Sequence, residues 1–288
     1  IAVDRSKKSD SAQKVVVTDL DGTLLDSQNY SYTQALDAIR KLQGMDIPIV
    51  FCSSKTRFEQ EVYRDELSIN EPFIVENGGA IYIPKDYFRL PFSYDKVESD
   101  YMVIEFGISY QELRYKLKEA LDEAYSHIEA NNLGELSLNS FGDMTVEDVA
   151  KETGLGLKMA SLAKQREYSE TLTIKGSKRA MEAVFEYIKK AGLLYTFGGR
   201  FYEVTGGNDK GKAVKVLLEL YKMNFGTVTS FGIGNSLNDL PLLAQTDFRM
   251  LVQGHDRRWS RMNISDIYKV RGVGPDGWSK AVEMMLSK

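Results

Sequence analysis

Cysteine is nearly absent: Cys52 stands alone in 288 residues, so no internal disulfide can form. The two histidines, His127 and His255, lie far apart without cysteine partners, which leaves a zinc site unsupported. A dominant charge is also missing. Against 37 Lys and Arg stand 41 Asp and Glu, a net charge of -4 spread along the chain, so no basic reservoir exists for a phosphate backbone and nucleic acid is not an expected partner. No stretch approaches the roughly 18 apolar residues of a membrane span, and the opening IAVDRSKKSDSAQ lacks the apolar block of a signal peptide. A cytoplasmic protein without a membrane partner is the expectation. Internal repeats and low-complexity tracts are missing too, whereas the length suffices for one large α/β domain or two modest ones.

What is present is an alternation of apolar runs and helical patterns. Val15 to Thr18 is a short β-branched run that opens into Asp19-Leu20-Asp21-Gly22-Thr23, the pattern of a buried strand and then a polar loop. Ile47 to Phe51 repeats the pattern after a helical stretch at about 32–42, and ends in Ser53-Ser54-Lys55-Thr56-Arg57. Phe73 to Val75 repeats it again, ending in Glu76-Asn77-Gly78-Gly79. Such spacing predicts successive strands of a parallel sheet, with ligands bound beyond the carboxyl ends of the strands. The alternation resumes with a helix at 210–221, a strand at 228–231, a polar loop at 234–239 and an apolar segment at 248–252.

Between these halves lie an extended stretch (101–106), a charged helix (110–124), a capping box at Thr145 and Asp148, a strand (172–174), a helix (178–190) and a hairpin (193–204) turning at Gly198-Gly199. The expected division is a tail at 1–13, a core at 14–85 and 206–288, and an inserted α+β domain at 86–205. Tyr195, Phe197, Phe201 and Tyr202 are expected on the packed face of the hairpin, and Cys52 as a small buried hydrophobe.

The loops after the strands carry the chemistry. Asp19 and Asp21, one residue apart after a buried strand, raise each other's pKa unless a cation compensates, and a hard divalent ion supplies that charge. Ser53 offers a hydroxyl to a phosphoryl oxygen. Lysine at the start of a helix opposes the helix dipole and gains by facing an anion, which singles out Lys210 or Lys212; spacing alone does not choose between them. Asn235, Asn238 and Asp239 add oxygens and amides after a fourth strand. Four such loops on one sheet edge suit phosphoryl transfer.

With these residues in order, the chain resembles the haloacid dehalogenase-like phosphatases, in which Asp-Leu-Asp-Gly-Thr is the nucleophile motif and Ser53, Lys210 and the 234–239 loop fill the second to fourth motifs. The resemblance implies an α/β fold: a Rossmannoid parallel-sheet core with an inserted C2-type cap. It implies Mg²⁺ as cofactor, Asp19 as nucleophile, Asp21 as general acid and base, Ser53 and Lys210 on the phosphoryl group, and Asp19, Asp21, Asn235 and Asp239 around the metal. One position departs from the family pattern, since Asn235 stands where relatives normally carry Asp. The interval from Asp21 to Ser53 has room for one helix, so the lid must lie between Ser53 and Lys210.

Within that class the chain is similar to mannosyl-3-phosphoglycerate phosphatases, through Ser53-Ser54-Lys55-Thr56-Arg57, Glu76-Asn77-Gly78-Gly79, Arg166-Glu167-Tyr168-Ser169-Glu170 and Gly274-Pro275-Asp276-Gly277-Trp278. The resemblance implies a phosphorylated glycoside as small-molecule partner and hydrolysis to mannosylglycerate, a compatible solute, and phosphate. The glucosyl counterpart, sucrose phosphate and noncatalytic sugar-phosphate binding are the alternatives. Lys55, Arg57 and Arg166 are expected to hold substrate anions, with Glu167 and Glu170 on sugar hydroxyls. Ser54, Glu76, Asn77, Gly78, Gly79 and Asn238 complete the expected substrate set. Nothing in the sequence speaks to oligomeric state.

Overall fold

The computed structural model describes residues 12–287. Most of the expected tail lies outside that range, and Gln13 already begins the first strand. In chain order the fold opens with β1 (Gln13–Thr18), a short turn at 33–35, α1 (Leu36–Gly44), β2 (Ile49–Phe51), α2 (Arg57–Leu67) and β3 (Phe73–Val75). Next come β4 (Ala80–Pro84), β5 (Lys96–Glu98) and β6 (Tyr101–Glu105). The central segment contains α3 (Tyr110–Ala130), β7 (Leu136–Ser140), α4 (Val146–Thr153), α5 (Leu157–Ala163), β8 (Ser169–Gly176), α6 (Lys178–Lys190), β9 (Leu194–Phe197) and β10 (Tyr202–Thr205). The chain then returns through α7 (Lys210–Phe225), β11 (Val228–Gly234), α8 (Leu240–Ala244), β12 (Phe248–Gln253), β13 (Ile267–Val273) and α9 (Asp276–Leu286).

The core is a five-stranded parallel sheet in the order β13-β12-β11-β1-β2. β1 from Val15 and β2 read as continuous apolar runs because both of their faces are covered, whereas the edge strand β13 leaves Tyr268, Lys269 and Arg271 exposed. Along β1 the side chains alternate: Val16 packs with Ile39 and Leu42 of α1 and Trp278 and Val282 of α9, while Val15 and Val17 meet Val214 and Leu217 of α7 and Leu242 of α8. Every strand therefore presents its carboxyl end to the same edge. That edge holds Asp19, Ser53 and the loop after β11.

The third expected parallel strand departs from the sequence reading. A single parallel bridge, Cys52 to Ile74, joins β3 to the end of β2, after which β3 pairs antiparallel with β4 in the sheet β3-β4-β6-β5. The turn Glu76-Asn77-Gly78-Gly79 is too short for a crossover, so the chain folds back as a hairpin. Because β6 pairs onto β4 and β5 onto β6, the expected boundary at 86 falls within this sheet.

A separate antiparallel sheet, β7-β8-β10-β9, spans the central segment, with α3 and α6 covering one face through Leu113, Leu117, Val184 and Ile188. The Thr145 capping box forms, as does the hairpin turn, where Gly198 N donates to the Phe201 carbonyl. Tyr195 stacks on Phe185 with centroids 4.2 Å apart. Cys52 is buried and burial pushes its thiol up, which keeps it protonated and unreactive.

Candidate active site at the carboxyl edge of the sheet

Asp19 comes directly after β1, and its N–H donates to the Ile233 carbonyl of β11 at 3.0 Å. The loop is braced from below. Trp278 Nε1 donates to Thr18 Oγ1 at 2.9 Å, and that hydroxyl donates to the Asp19 carbonyl at 2.7 Å. A Cβ at Gly274 would lie 2.3 Å from the Thr23 carbonyl, so only glycine lets the segment before α9 pass beneath the Asp19 loop. The Gly-Pro-Asp-Gly-Trp run thus supports the loop and is not part of the lining of the neighbouring cavity.

Lys210, the first residue of α7, puts Nζ 2.9 Å from Asp19 Oδ1 and 2.8 Å from Asp239 Oδ1. Lys212 is exposed and lies over the Phe106 ring, so geometry settles what spacing left open. Burial and the Asp239 charge push the Asp19 carboxyl up to about 7, against the lowering pull of Lys210. Burial lowers the Lys210 ammonium, yet Asp19 and Asp239 outweigh it and hold the group above its usual range. One cation between two buried carboxylates leaves negative charge over, and a further cation would balance it.

Oxygen donors for such a cation converge here. Asn235 Nδ2 donates to the Asp21 carbonyl at 3.4 Å, and Asn235 lines the same cavity as Asp19 and Asp21. Among the described residues no three of His, Cys, Asp and Glu form a metal cluster, because this set combines one carboxylate with neutral oxygens. A small hard cation that keeps part of its water shell fits such donors. Asp239 plays a different part from the expected ligand: Oδ2 accepts from the N–H groups of Asn235 (3.0 Å) and Ser236 (3.1 Å) while Oδ1 faces Lys210. Its oxygens are committed to holding the loop that presents Asn235.

Asp19, Asp21, Asn235 and Ser236 line one part of a cavity of about 830 Å³ between the parallel sheet and the central segment. Asp19, Asp21, Ser54, Lys55, Asn77, Arg166, Asn235 and Asn238 of the expected set line it. Ser53 is fully buried behind them, its hydroxyl accepting from Lys55 N and its carbonyl from Asn77 N. Lys55 and Arg166 do not present free charge. The Lys55 ammonium lies 3.0 Å from Asp21 Oδ1, 3.4 Å from Glu59 Oε1 and 4.8 Å above the Tyr30 ring, so it fixes Asp21.

Arg166 is buried and pairs with Glu203, reaches Glu76 at 3.7 Å, and donates to the Ser54 carbonyl at 2.8 Å. Far from an exposed anion receptor, it ties the central segment to the core. Replacing Arg166 with Met strands the Glu76 and Glu203 charges, at a cost of about 3–5 kcal/mol. Chemical denaturation is expected to show that loss, with similar falls in turnover on large and small phosphomonoesters.

The remaining expected substrate residues are not among those that line the cavity, and most are held by internal partners. Arg57 pairs with Glu98 (2.7 Å), Glu167 (3.3 Å) and Glu61 (3.5 Å). Glu76 accepts from the N–H groups of Glu167 and Tyr168 and from Ser169 Oγ, and Glu170 from Tyr110, Arg114 and Gly142. The Gly78 and Gly79 amides both donate to the Val75 carbonyl. Gly78, at φ 90°, lies so close to Asp209 that a Cβ would be 2.3 Å from its backbone, while Gly79 packs on Tyr168.

Several lining residues escaped the sequence reading. Thr171, Glu203 and Thr196 form one row across β8, β10 and β9 and face the cavity together, a consequence of strand register that no local motif announces. Tyr30 Oη and Arg200 Nη1 both donate to the Thr153 carbonyl, at 3.0 and 3.1 Å, which joins the loop after Asp21 to α4 and the hairpin. Phe201, expected in packing, contacts Phe141 with centroids 5.3 Å apart and also lines the cavity.

With this geometry in place, the chain matches the model of the haloacid dehalogenase-like hydrolases over residues 16–255. It is 42% identical, over 95% of its own length and 97% of the relative's, to a glucosyl-3-phosphoglycerate/mannosyl-3-phosphoglycerate phosphatase of Methanococcoides burtonii. It is 40% identical, over 89% and 98%, to a mannosyl-3-phosphoglycerate phosphatase of Pyrococcus furiosus. The fold is shared with a haloacid dehalogenase-like hydrolase of Bacteroides thetaiotaomicron at a TM-score of 0.62, with 17% identity over 94% of this chain and 99% of that one. Matched over most of its length, with the four strand-end loops gathered at one sheet edge, the chain belongs to the haloacid dehalogenase-like hydrolases.

Proposed function

We propose that the chain is a Mg²⁺-dependent phosphatase that hydrolyses mannosyl- or glucosyl-3-phosphoglycerate to the glycosylglycerate and phosphate. The observation that carries the reading is the Asp19–Lys210–Asp239 cluster, whose Asp19 lines a cavity far larger than a phosphate group. The names of the 42% and 40% identical relatives support the choice of leaving group. The segment at about 107–206 serves as the lid, tied to the core where Arg166 donates to the Ser54 carbonyl and where Tyr30 donates to the Thr153 carbonyl.

The chemistry stems from the positions of the side chains. An Asp19 carboxylate oxygen attacks phosphorus and the bond to the leaving oxygen breaks, which divides one hard displacement into two steps through an aspartyl-phosphate. Asp21, held by Lys55, protonates the departing alkoxide and then takes a proton from the water that attacks the phosphoenzyme. Lys210 offsets charge on Asp19 and on the phosphoryl oxygens, with the Ser53 loop behind them. Asp19, the Asp21 carbonyl and Asn235 would hold Mg²⁺, which would supply positive charge to the same oxygens. Closure over the site excludes water other than the attacking molecule.

Asn235 brings no charge to the metal. Asn235→Asp is therefore expected to tighten Mg²⁺ binding by about tenfold and to raise turnover only at limiting Mg²⁺. Metal titrations read by binding and by initial rate check this, and unchanged dependence on both would remove Asn235 from the metal's donors. The function itself is tested by phosphate release from both glycosyl phosphoglycerates, sucrose 6-phosphate and p-nitrophenyl phosphate, with and without Mg²⁺. Preferred hydrolysis of a glycosyl phosphoglycerate is the expected result; equal rates across the panel would contradict the substrate assignment.

A further inference from the structure

The cations on the cavity wall fall into two groups. Lys55 is matched by Asp21 and Glu59, and Arg166 by Glu203 and Glu76. On the loop after β12, Arg258 shares its turn with Asp256, whose carboxylate accepts from the Arg258 N–H. Two lid cations that line the same cavity differ from these: Lys151 on α4 and Arg200 in the turn between β9 and β10. Both are exposed, and among the described residues neither has a carboxylate at ion-pair distance.

Arg200 is nevertheless held in place. Nη1 donates to the Thr153 carbonyl at 3.1 Å and Nη2 to the Glu152 carbonyl at 2.6 Å. These carbonyls end α4, where no helical N–H reaches them. The guanidinium carbon also lies over the Phe201 ring, 5.3 Å from its centroid. Carbonyls carry only partial charge, so the group is oriented without being neutralised, and a guanidinium has more N–H donors than these two bonds use. Tyr30 connects this point to the catalytic end of the cavity: Oη donates to the same Thr153 carbonyl at 3.0 Å, and the ring lies 4.8 Å from the Lys55 ammonium that pairs with Asp21. We infer that Arg200 is a specificity residue that receives a carboxylate of the leaving group, with Lys151 adding positive charge beside it. This rests on the phosphatase reading above and adds to it that the lid selects an anionic leaving group over a neutral one.

The measurement compares kcat/KM for a glycosyl phosphoglycerate, for the same compound with its carboxylate converted to the carboxamide, and for p-nitrophenyl phosphate. The parent is expected to favour the acid over the amide by about tenfold or more. Arg200→Met is expected to lower kcat/KM for the acid about thirtyfold, mainly through KM, and to leave the other two substrates within about twofold. Arg200→Lys keeps the charge without the planar fork and is expected to recover part of the preference. Lys151→Met is expected to cost the acid about threefold. Arg200→Gln, which can still donate to a carbonyl, replaces Arg200→Met if that variant does not fold. Similar losses on all three substrates would mean that Arg200 only ties the hairpin to α4, and would overturn the inference. A parent that hydrolyses acid and amide alike, or an undiminished preference for the acid in Arg200→Met, would overturn it too while leaving the phosphatase reading intact. Parent protein that hydrolyses p-nitrophenyl phosphate but neither glycosyl compound contradicts the substrate assignment itself and takes the inference with it.

Discussion

Asp19→Ala is expected to lower turnover by a factor of about 10⁴ or more while leaving the fold intact. The loss is large because the substitution removes the attacking oxygen and a metal donor together. The fold survives because Lys210 keeps Asp239 as a partner at 2.8 Å, so no buried ammonium is stranded. Stability itself changes in a direction that pH reveals. The Asp19 carboxyl rises from 3.8 to about 7 through burial and the neighbouring Asp239, so the native state binds this proton more tightly than the unfolded chain. Stability contributed by this group therefore falls as pH climbs from about 4 through 7. In metal-free protein the variant is expected to lose that part of the slope and to be as stable as the parent, or more so, at neutral pH. Denaturation midpoints across that range check the claim, and near-normal phosphate release from the variant would end the nucleophile assignment.

Lys210→Met acts in the opposite way, with the larger cost in stability. It leaves Asp19 and Asp239 facing each other at 6% and 0% exposure without the cation between them. Removing one partner from such a buried cluster costs about 3–5 kcal/mol. The loss is expected in the presence of a chelator, and Mg²⁺ should recover part of the stability, since the ion replaces some of the missing charge. Turnover stays low even when Mg²⁺ restores the fold, because the phosphoryl oxygens have lost a donor. A variant as stable as the parent in chelator would show that the two carboxylates share a proton rather than depend on Lys210.

Local chemistry was legible in the sequence and tertiary pairing was not. The apolar runs ending in Asp19 and Ser53 gave away the parallel core, because strands covered on both faces must be apolar throughout. Phe73 to Val75 carried the same signal, but the course of the chain beyond an apolar strand depends on where its hydrogen bonds go, and the tight turn at Glu76–Gly79 sent them into a hairpin. The internal pairing of the charged motifs was hidden for a related reason. Arg57, Arg166, Glu76, Glu167 and Glu170 resemble substrate ligands in type, yet each is neutralised by a partner far along the chain, such as Glu98 for Arg57 and Glu203 for Arg166. Glu203 was missed because only the pairing of β8, β10 and β9 brings it to the cavity. Asp239, expected at the metal, has one oxygen bonded by the N–H groups of Asn235 and Ser236 and the other by Lys210.

The central claim is that Asp19 takes the phosphoryl group and Asp21 then activates the water that releases it. Asp21→Asn separates the two steps when the substrate is p-nitrophenyl phosphate, whose leaving group departs without a proton. The account predicts a burst of one p-nitrophenolate per site, and after it a stalled protein with one added phosphoryl group on the peptide containing Asp19. Steady release by Asp21→Asn without a burst, with no phosphoryl mass on that peptide, would contradict it.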